Sequence, residues 1–366
     1  MRIRYATREQ VMDSLEITQT AYSKRLIDAK IDAASNSIDG FLHRRFYPEK
    51  RTIKRDWPNY SYAPTWRLDL DDNEVATVSQ VLAGGTDITS FILLRRGDDK
   101  LEPPYSAIEV DLSTSGAFAA GVTFQQSINI TGVFTGDKDT DTTLSGGVLS
   151  GAINSSVTSI VINPVSGYYT VGVGSLLLVD SERIVITDRR LSAVSGQTTS
   201  GTIAAQQSAN MIPVTSGAVF AESEVILIDS ERMRVDDIAG NNLIVSRAWD
   251  GTPLASHSSG TTVYALRTFI VQRGVLGSSA AAHSDGASVY VHQYPGIINE
   301  LCIAETVVFL EQNAGGYSRQ IGAGNAQRET AGASIPSTKS LYVAGIADIR
   351  EKAFAAYGRK LRSAAI

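Results

Sequence analysis

A single cysteine, Cys302, in 366 residues rules out an internal disulfide framework and a zinc site built from several thiolates. Histidine is almost as scarce, with only His43, His257, His283 and His292. None stands in an HExxH arrangement, so no metal site is expected. No apolar run approaches the roughly 18 residues of a helical membrane span. The opening MRIRYATREQ has no apolar core of the secretory kind, so synthesis in the cytoplasm is the expectation. Walker A and G-x-S-x-G signatures are missing. Gly322-x-Gly324 is a fragment of a dinucleotide fingerprint, but a helical pattern precedes it and a polar stretch follows, the reverse of what a phosphate-binding turn needs. Cys302 falls on the apolar face of a helical pattern and reads as core packing. The expectation is a protein with no enzymatic activity and no cofactor.

What is present is an ordinary folding composition, 43% hydrophobic and 19% charged. The net charge of −5 hides an uneven spread. Residues 1–55 carry 12 basic against 7 acidic side chains, and residues 317–366 carry 8 against 3. The stretch 56–316 carries 13 against 28. Basic ends around an acidic centre suit contact with an anion or an acidic surface, and equally suit solvated faces.

Periodicity divides the chain in three. Thr7-Arg8-Glu9-Gln10 is a capping box, and a short helix to about residue 15 follows from it. A longer helix is expected over 21–46, with Ile27, Ile31, Ala34, Ile38 and Leu42 in one stripe and Pro48 stopping it. From Trp57 to Phe134 apolar and polar residues alternate between turn signals, which is the pattern of strands. Residues 136–151 read as a polar linker. Helical spacing returns after Pro295 through Ile298, Leu301, Val308 and Phe309, with Gly315-Gly316 ending it. A Gly-, Ala- and Ser-rich loop follows over 314–339, and a last helix over 340–357 turns Val343, Ile346, Ile349, Ala353 and Phe354 inward. Gly358 then stands at its C-cap.

The region 137–294 repeats itself. LVDSERIVI (178–186) recurs as LIDSERMRV (227–235), 49 residues later. LIVSRAWDGTPLASHSSGTTVY (243–264) recurs as FIVQRGVLGSSAAAHSDGASVY (269–290), 26 residues later. Each reads as a strand, a turn and a strand. A lone hairpin cannot bury its apolar face in water, so related hairpins packed together are expected. Within them, Asp180, Glu182, Asp229 and Glu231 are expected as exposed turn carboxylates beside arginines, and His257 and His283 as residues closing Gly-bounded turns through the backbone. Helices at both ends with β material between them give an α+β expectation. Both chain ends, 1–48 plus 295–366, form a small helical bundle; 49–136 is a β-rich part of the same module; 137–294 is an inserted antiparallel β domain.

Two segments carry a resemblance. YATREQVMDSLEI…YSKRLIDAKIDAASNSIDGFLHRRFYP, with INITGVFTG further on, resembles the start of head-to-tail connector proteins of tailed phages, also called head-completion or adaptor proteins. PGIINELCIAETVVFLEQNAGGYSRQIGAG…IADIREKAFAAYGRKLRSAAI resembles that family's end. The resemblance covers about 1–135 and 295–366. It implies a virion protein at the head-to-tail interface. Such a protein forms a homo-oligomeric ring, usually a dodecamer, that docks on the portal, extends the DNA channel and offers a platform to the next head-completion or tail-terminator protein. DNA would pass without sequence specificity, and no membrane is involved. On this chain, Arg350, Lys352, Arg359, Lys360 and Arg362, with Arg44 and Arg45, become candidates for portal or DNA contact. Residues 137–294 depart from the compact pattern. Two other functions compete. One is a β-rich glycan- or receptor-binding virion protein using Trp249, Tyr264 and Tyr290 as stacking platforms. The other is a glycan hydrolase using the Asp/Glu pairs, which would need carboxylates about 5–9 Å apart in a cleft.

Overall fold

In the computed structural model, described residues are 3–15, 22–58, 64–96, 102–137, 145–164, 171–314 and 338–359. The fold is mostly β, 38% strand against 22% helix. That overturns the expected α+β class of a small helical bundle with β material inserted. The inserted material is the larger structure and brings its own cores, and the helices are appended to it.

Contacts separate two compact units. The larger comprises 1–37, 141–275 and 279–352; the smaller comprises 38–140, 276–278 and 353–366.

Ten strands build the larger unit: β8 (Ser145–Leu149), β9 (Ser159–Asn163), β10 (Leu176–Val179), β11 (Glu182–Thr198), β12 (Met211–Pro213), β13 (Val225–Ile228), β14 (Glu231–Ala239), β15 (Asn242–Ser246), β16 (Thr262–Gln272) and β17 (Ser288–Val291). Residues 145–149, expected within a linker, are therefore a strand; the rest of that stretch up to 144 lies partly outside the described residues. Strands β11-β10-β17-β8-β9-β16 run side by side, and β16 pairs back onto β11 from Val185↔Gln272 to Arg190↔Thr268. The six close an antiparallel barrel. A second ring starts from the same two strands. The far part of β11 pairs with the near part of β16 at Ser192↔Ala265, and β16-β13-β14-β15-β12 returns to the chain after β11 through the bridge Thr199↔Val214.

The two rings have the same strand order, and the repeats explain why. Barrel one consists of residues 145–193 and 266–292, and barrel two, residues 194–265, is inserted inside it. Leu177↔Ile184 in one corresponds to Ile226↔Met233 in the other, and Ile153↔His283 corresponds to Ile203↔His257. The cores match position by position: Val179, Ile184, Ile186, Phe269, Val271 and Val289 answer to Ile228, Met233, Val235, Leu243, Val245 and Val263. Each sequence repeat thus pairs a part of one barrel with its twin in the other. Neither hairpin could bury its apolar face alone; six strands closed on themselves leave no edge.

Helices complete this unit. The capping box of α1 (Arg8–Ser14) forms as its sequence requires: Thr7 accepts from the Gln10 amide, and the Gln10 side chain accepts from Thr7. Its first turn sits on the loop before β10. Arg8 N–H donates to the Val173 carbonyl (3.0 Å), and Glu9 accepts from the Val173 N–H (2.7 Å). Gly172 is required there, because a Cβ would overlap the Glu9 carboxylate. The helix α2 (Lys24–Leu42) is shorter than expected at both ends. Helix α3 (Gly296–Ala314) buries Ile298, Leu301, Cys302, Val307 and Leu310. Chain ends meet here: Asn299 donates to the Tyr5 carbonyl (2.6 Å), Ser35 Oγ lies 3.5 Å from Cys302 Sγ, and Arg350 of α4 (Thr338–Tyr357) donates to the buried Glu305 (2.8 Å). Val343 and Gly315-Gly316 fall outside what is described.

The Cys302 thiol is buried, and burial pushes it up to about 11 against a smaller opposing pull from the Ser35 hydrogen bond. A thiol both hidden and protonated does not react. Ellman's reagent at pH 8 is expected to leave the native protein unlabelled for hours and to titrate one thiol per chain in denaturant; prompt native labelling would contradict this packing.

In the smaller unit, β1 (Glu49–Arg55), β7 (Ile128–Phe134), β3 (Val75–Ala83) and β4 (Thr86–Asp87) form a sheet in the order β1-β7-β3-β4. β2 (Arg67–Asp69), β6 (Ala107–Val110) and β5 (Ile92–Arg95) form another. Their shared core holds Leu68, Leu70, Val81, Ile108, Ile128 and Ile130. Period-two alternation is strict in β7, whose residues alternate buried and half-buried. The two chain ends meet in this unit as well. Phe41 meets Phe354 at a tilt (5.4 Å), Phe46 meets Tyr357 edge-on (5.4 Å), and the Arg359 amide donates to the Leu42 carbonyl (3.2 Å). Gly358 donates to the Phe354 carbonyl (2.7 Å) at the end of α4, an i→i−4 bond made without the left-handed φ of a glycine C-cap.

Candidate functional site

The chemistry-bearing residues of the repeats gather at one end of each barrel. A two-residue turn joins β10 to β11, and its first residue, Asp180, adopts the left-handed conformation that Asp tolerates (φ 53°). Strand alternation then turns Glu182 inward with Ile184 and Ile186. Glu182 is 0% exposed, contrary to the expected surface turn. Arg273 grips it bidentately, Nε to Oε1 and Nη2 to Oε2, both at 2.7 Å. The amides of Gly274 (2.9 Å) and Ala281 (3.0 Å) also donate to it. His283 Nε2 lies 2.9 Å from Oε2, and its Nδ1 lies 2.6 Å from Asp180. Arg273 Nη1 in turn donates to the carbonyls of Asn154 and Val157.

Barrel two repeats this atom for atom. Arg247 holds Glu231 through the same two atoms at 2.7 Å, and Ala248 and Ala255 donate their amides at 2.9 Å. His257 bridges Glu231 (3.0 Å) and Asp229 (2.7 Å), and Arg247 Nη1 donates to the carbonyls of Ala204 and Ala209. Burial pushes the Glu182 carboxyl up, but hydrogen bonds from Arg273, Ala281, His283 and Gly274 outweigh it and hold it at about 2. Glu231 stands at about 2 for the matching reasons. Each histidine thus sets both ring nitrogens against carboxylate oxygens, one on the inner glutamate and one on the turn aspartate.

These networks tie three loops to each barrel end. Their lone pairs are spent internally and the inner carboxylate and imidazole carry no exposed surface, so no substrate reaches them. A third buried pair, Arg267 with Glu224 (2.8 Å from Nη2), belongs to the same frame. The expectation that His257 and His283 act through the backbone is incomplete: they do pair through main-chain bonds to Ile203 and Ile153, and their side chains also bridge carboxylates. Among the described residues no group of His, Cys, Asp and Glu is placed to hold a metal ion.

The basic candidates divide between the units. In the smaller one, His43 ends α2 in left-handed conformation (φ 52°). Arg44 donates to the buried Glu74 (2.8 Å). Burial raises Glu74, while the charges of Arg44, Arg359 and Arg96 pull it down. Arg45 is exposed, 3.8 Å from Glu49. In the larger unit Arg350 is committed to Glu305, and Lys352 is exposed beside Asp348 (2.7 Å). Lys360 and Arg362 lie outside the described residues. The aromatic trio forms no platform: the Arg234 guanidinium covers Trp249 at 4.2 Å, while Tyr264 and Tyr290 are equivalent residues of different barrels. No described helix is long and apolar enough to cross a membrane. No family model, no curated protein and no solved structure matches the chain.

Proposed function

We propose that the chain is a structural virion subunit of a tailed phage, an adaptor that assembles into a ring between the portal of the filled head and the next connector or tail protein, extending the DNA channel. The observation that carries this reading is the joining of the chain ends. The helices of the first 42 residues pack against those of the last 71 in both units, through Ser35–Cys302 and Arg350–Glu305 in one and Phe41–Phe354 in the other. The resemblance in sequence lies in those same segments. The twin barrel between them is held by internal ion pairs and asks nothing of a ligand, which fits an architectural insertion. Exposed Arg45 and Lys352 remain available to portal or DNA, whereas Arg44 and Arg350 have structural employment.

Negative-stain electron microscopy of the purified chain, alone and mixed with a portal, tests this. The expected result is closed annuli of about twelve copies that cap the portal. Monomers that ignore the portal at micromolar concentration would refute it.

A further inference from the structure

We infer that the outer edge of β1 is a docking site for an acidic extended segment of another polypeptide, which adds to the smaller unit's sheet as a further strand. Strand β1 ends the sheet order β1-β7-β3-β4 and pairs on one side with β7. Its main-chain groups alternate between partner and edge. Lys50 points outward, because its amide donates to the Leu276 carbonyl (2.9 Å) and not to β7. Thr52 and Lys54 therefore point outward too, and among the described residues nothing bonds their main-chain groups. The chain already shows that this edge takes a backbone partner: residues 276–278 sit against its second residue, Lys50, where Gly277 (φ +79°) approaches so closely that a Cβ would overlap the Lys50 carbonyl.

Charge selects the occupant. Lys50 and Lys54 are exposed and have no ion-pair partner among the described residues, while Arg51 and Arg55 are already engaged with Glu49 and Asp71. A second copy of this edge is excluded: an antiparallel twin centred on Thr52 would set Lys50 against Lys54 twice over, and like charges directly opposed are destabilising. An acidic strand meets the same two lysines as opposite charges, with main-chain bonds supplying affinity and the lysines specificity. This inference rests on the sheet edge alone and does not depend on ring assembly.

The test uses the full chain and a short fluorescent peptide of alternating glutamate and valine, with its lysine–valine counterpart as control. Saturable binding of the acidic peptide, none of the basic one, and slowed hydrogen exchange at the Thr52 and Lys54 amides are expected. Lys50→Glu with Lys54→Glu is expected to weaken binding by about tenfold or more. Thr52→Pro removes an outward N–H that no internal bond uses and is expected to abolish binding; folding of each variant is checked by circular dichroism. Equal binding of both peptides, unchanged exchange at those amides, or unchanged affinity in the folded charge-reversed variant would overturn the proposal. So would a change of oligomeric state in Thr52→Pro with peptide binding intact, since the occupant would then be a second copy.

Discussion

Replacing Arg247 by alanine is expected to destabilise the larger unit by about 3–5 kcal/mol, and Arg273→Ala by a similar amount. Both arginines have buried side chains and face a carboxylate with no exposed surface. Removing the cation strands that carboxylate in a medium where a lone charge is costly, and leaves two carbonyls of the neighbouring loop without their donor. Truncation of one partner costs far more than the pair itself contributes, so Arg247→Met combined with Glu231→Leu should recover much of the loss. The outer half of each network behaves differently. Asp229 and Asp180 are more than half exposed, and Asp229→Asn should cost no more than about 1 kcal/mol. Urea denaturation of the four variants reads all of this. At roughly 2–4 °C per kcal/mol for a unit of this size, the single arginine variants should melt on the order of 10 °C lower. A loss below about 1 kcal/mol for either arginine would mean that the networks do not hold the barrel ends.

Both networks could have been read from the sequence further than composition takes it. Asp-Ser-Glu-Arg resembles a solvated turn, and two of its residues, Asp180 and Ser181, are one. Glu182, however, precedes Ile184 and Ile186 at period two, and Glu231 precedes Met233 and Val235 in the same way. Alternation places both glutamates on the buried face, and a buried carboxylate demands a partner. Arg247 and Arg273 hold equivalent places in the longer repeat, ten residues ahead of His257 and His283. The signal was an acid at an inward position and a cation at a matched one.

The nesting was harder to see. A simple tandem copy keeps one offset throughout, whereas this chain repeats at 49 residues in one region and 26 in another. Two offsets are what an interrupted copy produces, because the inserted barrel separates the first four strands of its host from the last two. Pairing across β11 and β16 reveals this, and pairing is a long-range property that local periodicity does not encode. The helices show the opposite balance. The Thr7 capping box and the stripe through Ile27, Ile31, Ala34, Ile38 and Leu42 were visible, because capping and amphipathicity are local. The expected helical core with strands inserted into it fails because each barrel has a core of its own.

Acid should unfold the larger unit before the smaller. Glu182 and Glu231 are held at about 2 in the folded chain, against 4.5 when unperturbed. The unfolded chain therefore binds more protons between those values. Stability from each carboxylate is complete above about pH 4.5 and drains away as pH falls toward 2, on the order of 3 kcal/mol apiece, with little solvent screening at side chains that carry no exposed surface. In the smaller unit Glu74 works the other way. Burial raises it, so its ionised form carries a cost that protonation relieves as pH falls. Asp87 and Asp111 are held low there by Thr89 and Ser113, but they are surface groups whose interactions water largely screens. Hydrogen exchange followed from pH 6 to pH 3 should show strands β10, β13, β14 and β17 losing protection while β3 and β7 keep theirs. Glu231→Gln, already weakened, should lose less further stability over that range than the parent, because one of the two titrating carboxylates is gone. An unchanged acid slope in that variant, or protection lost first in β3 and β7, would place the acid-sensitive groups elsewhere.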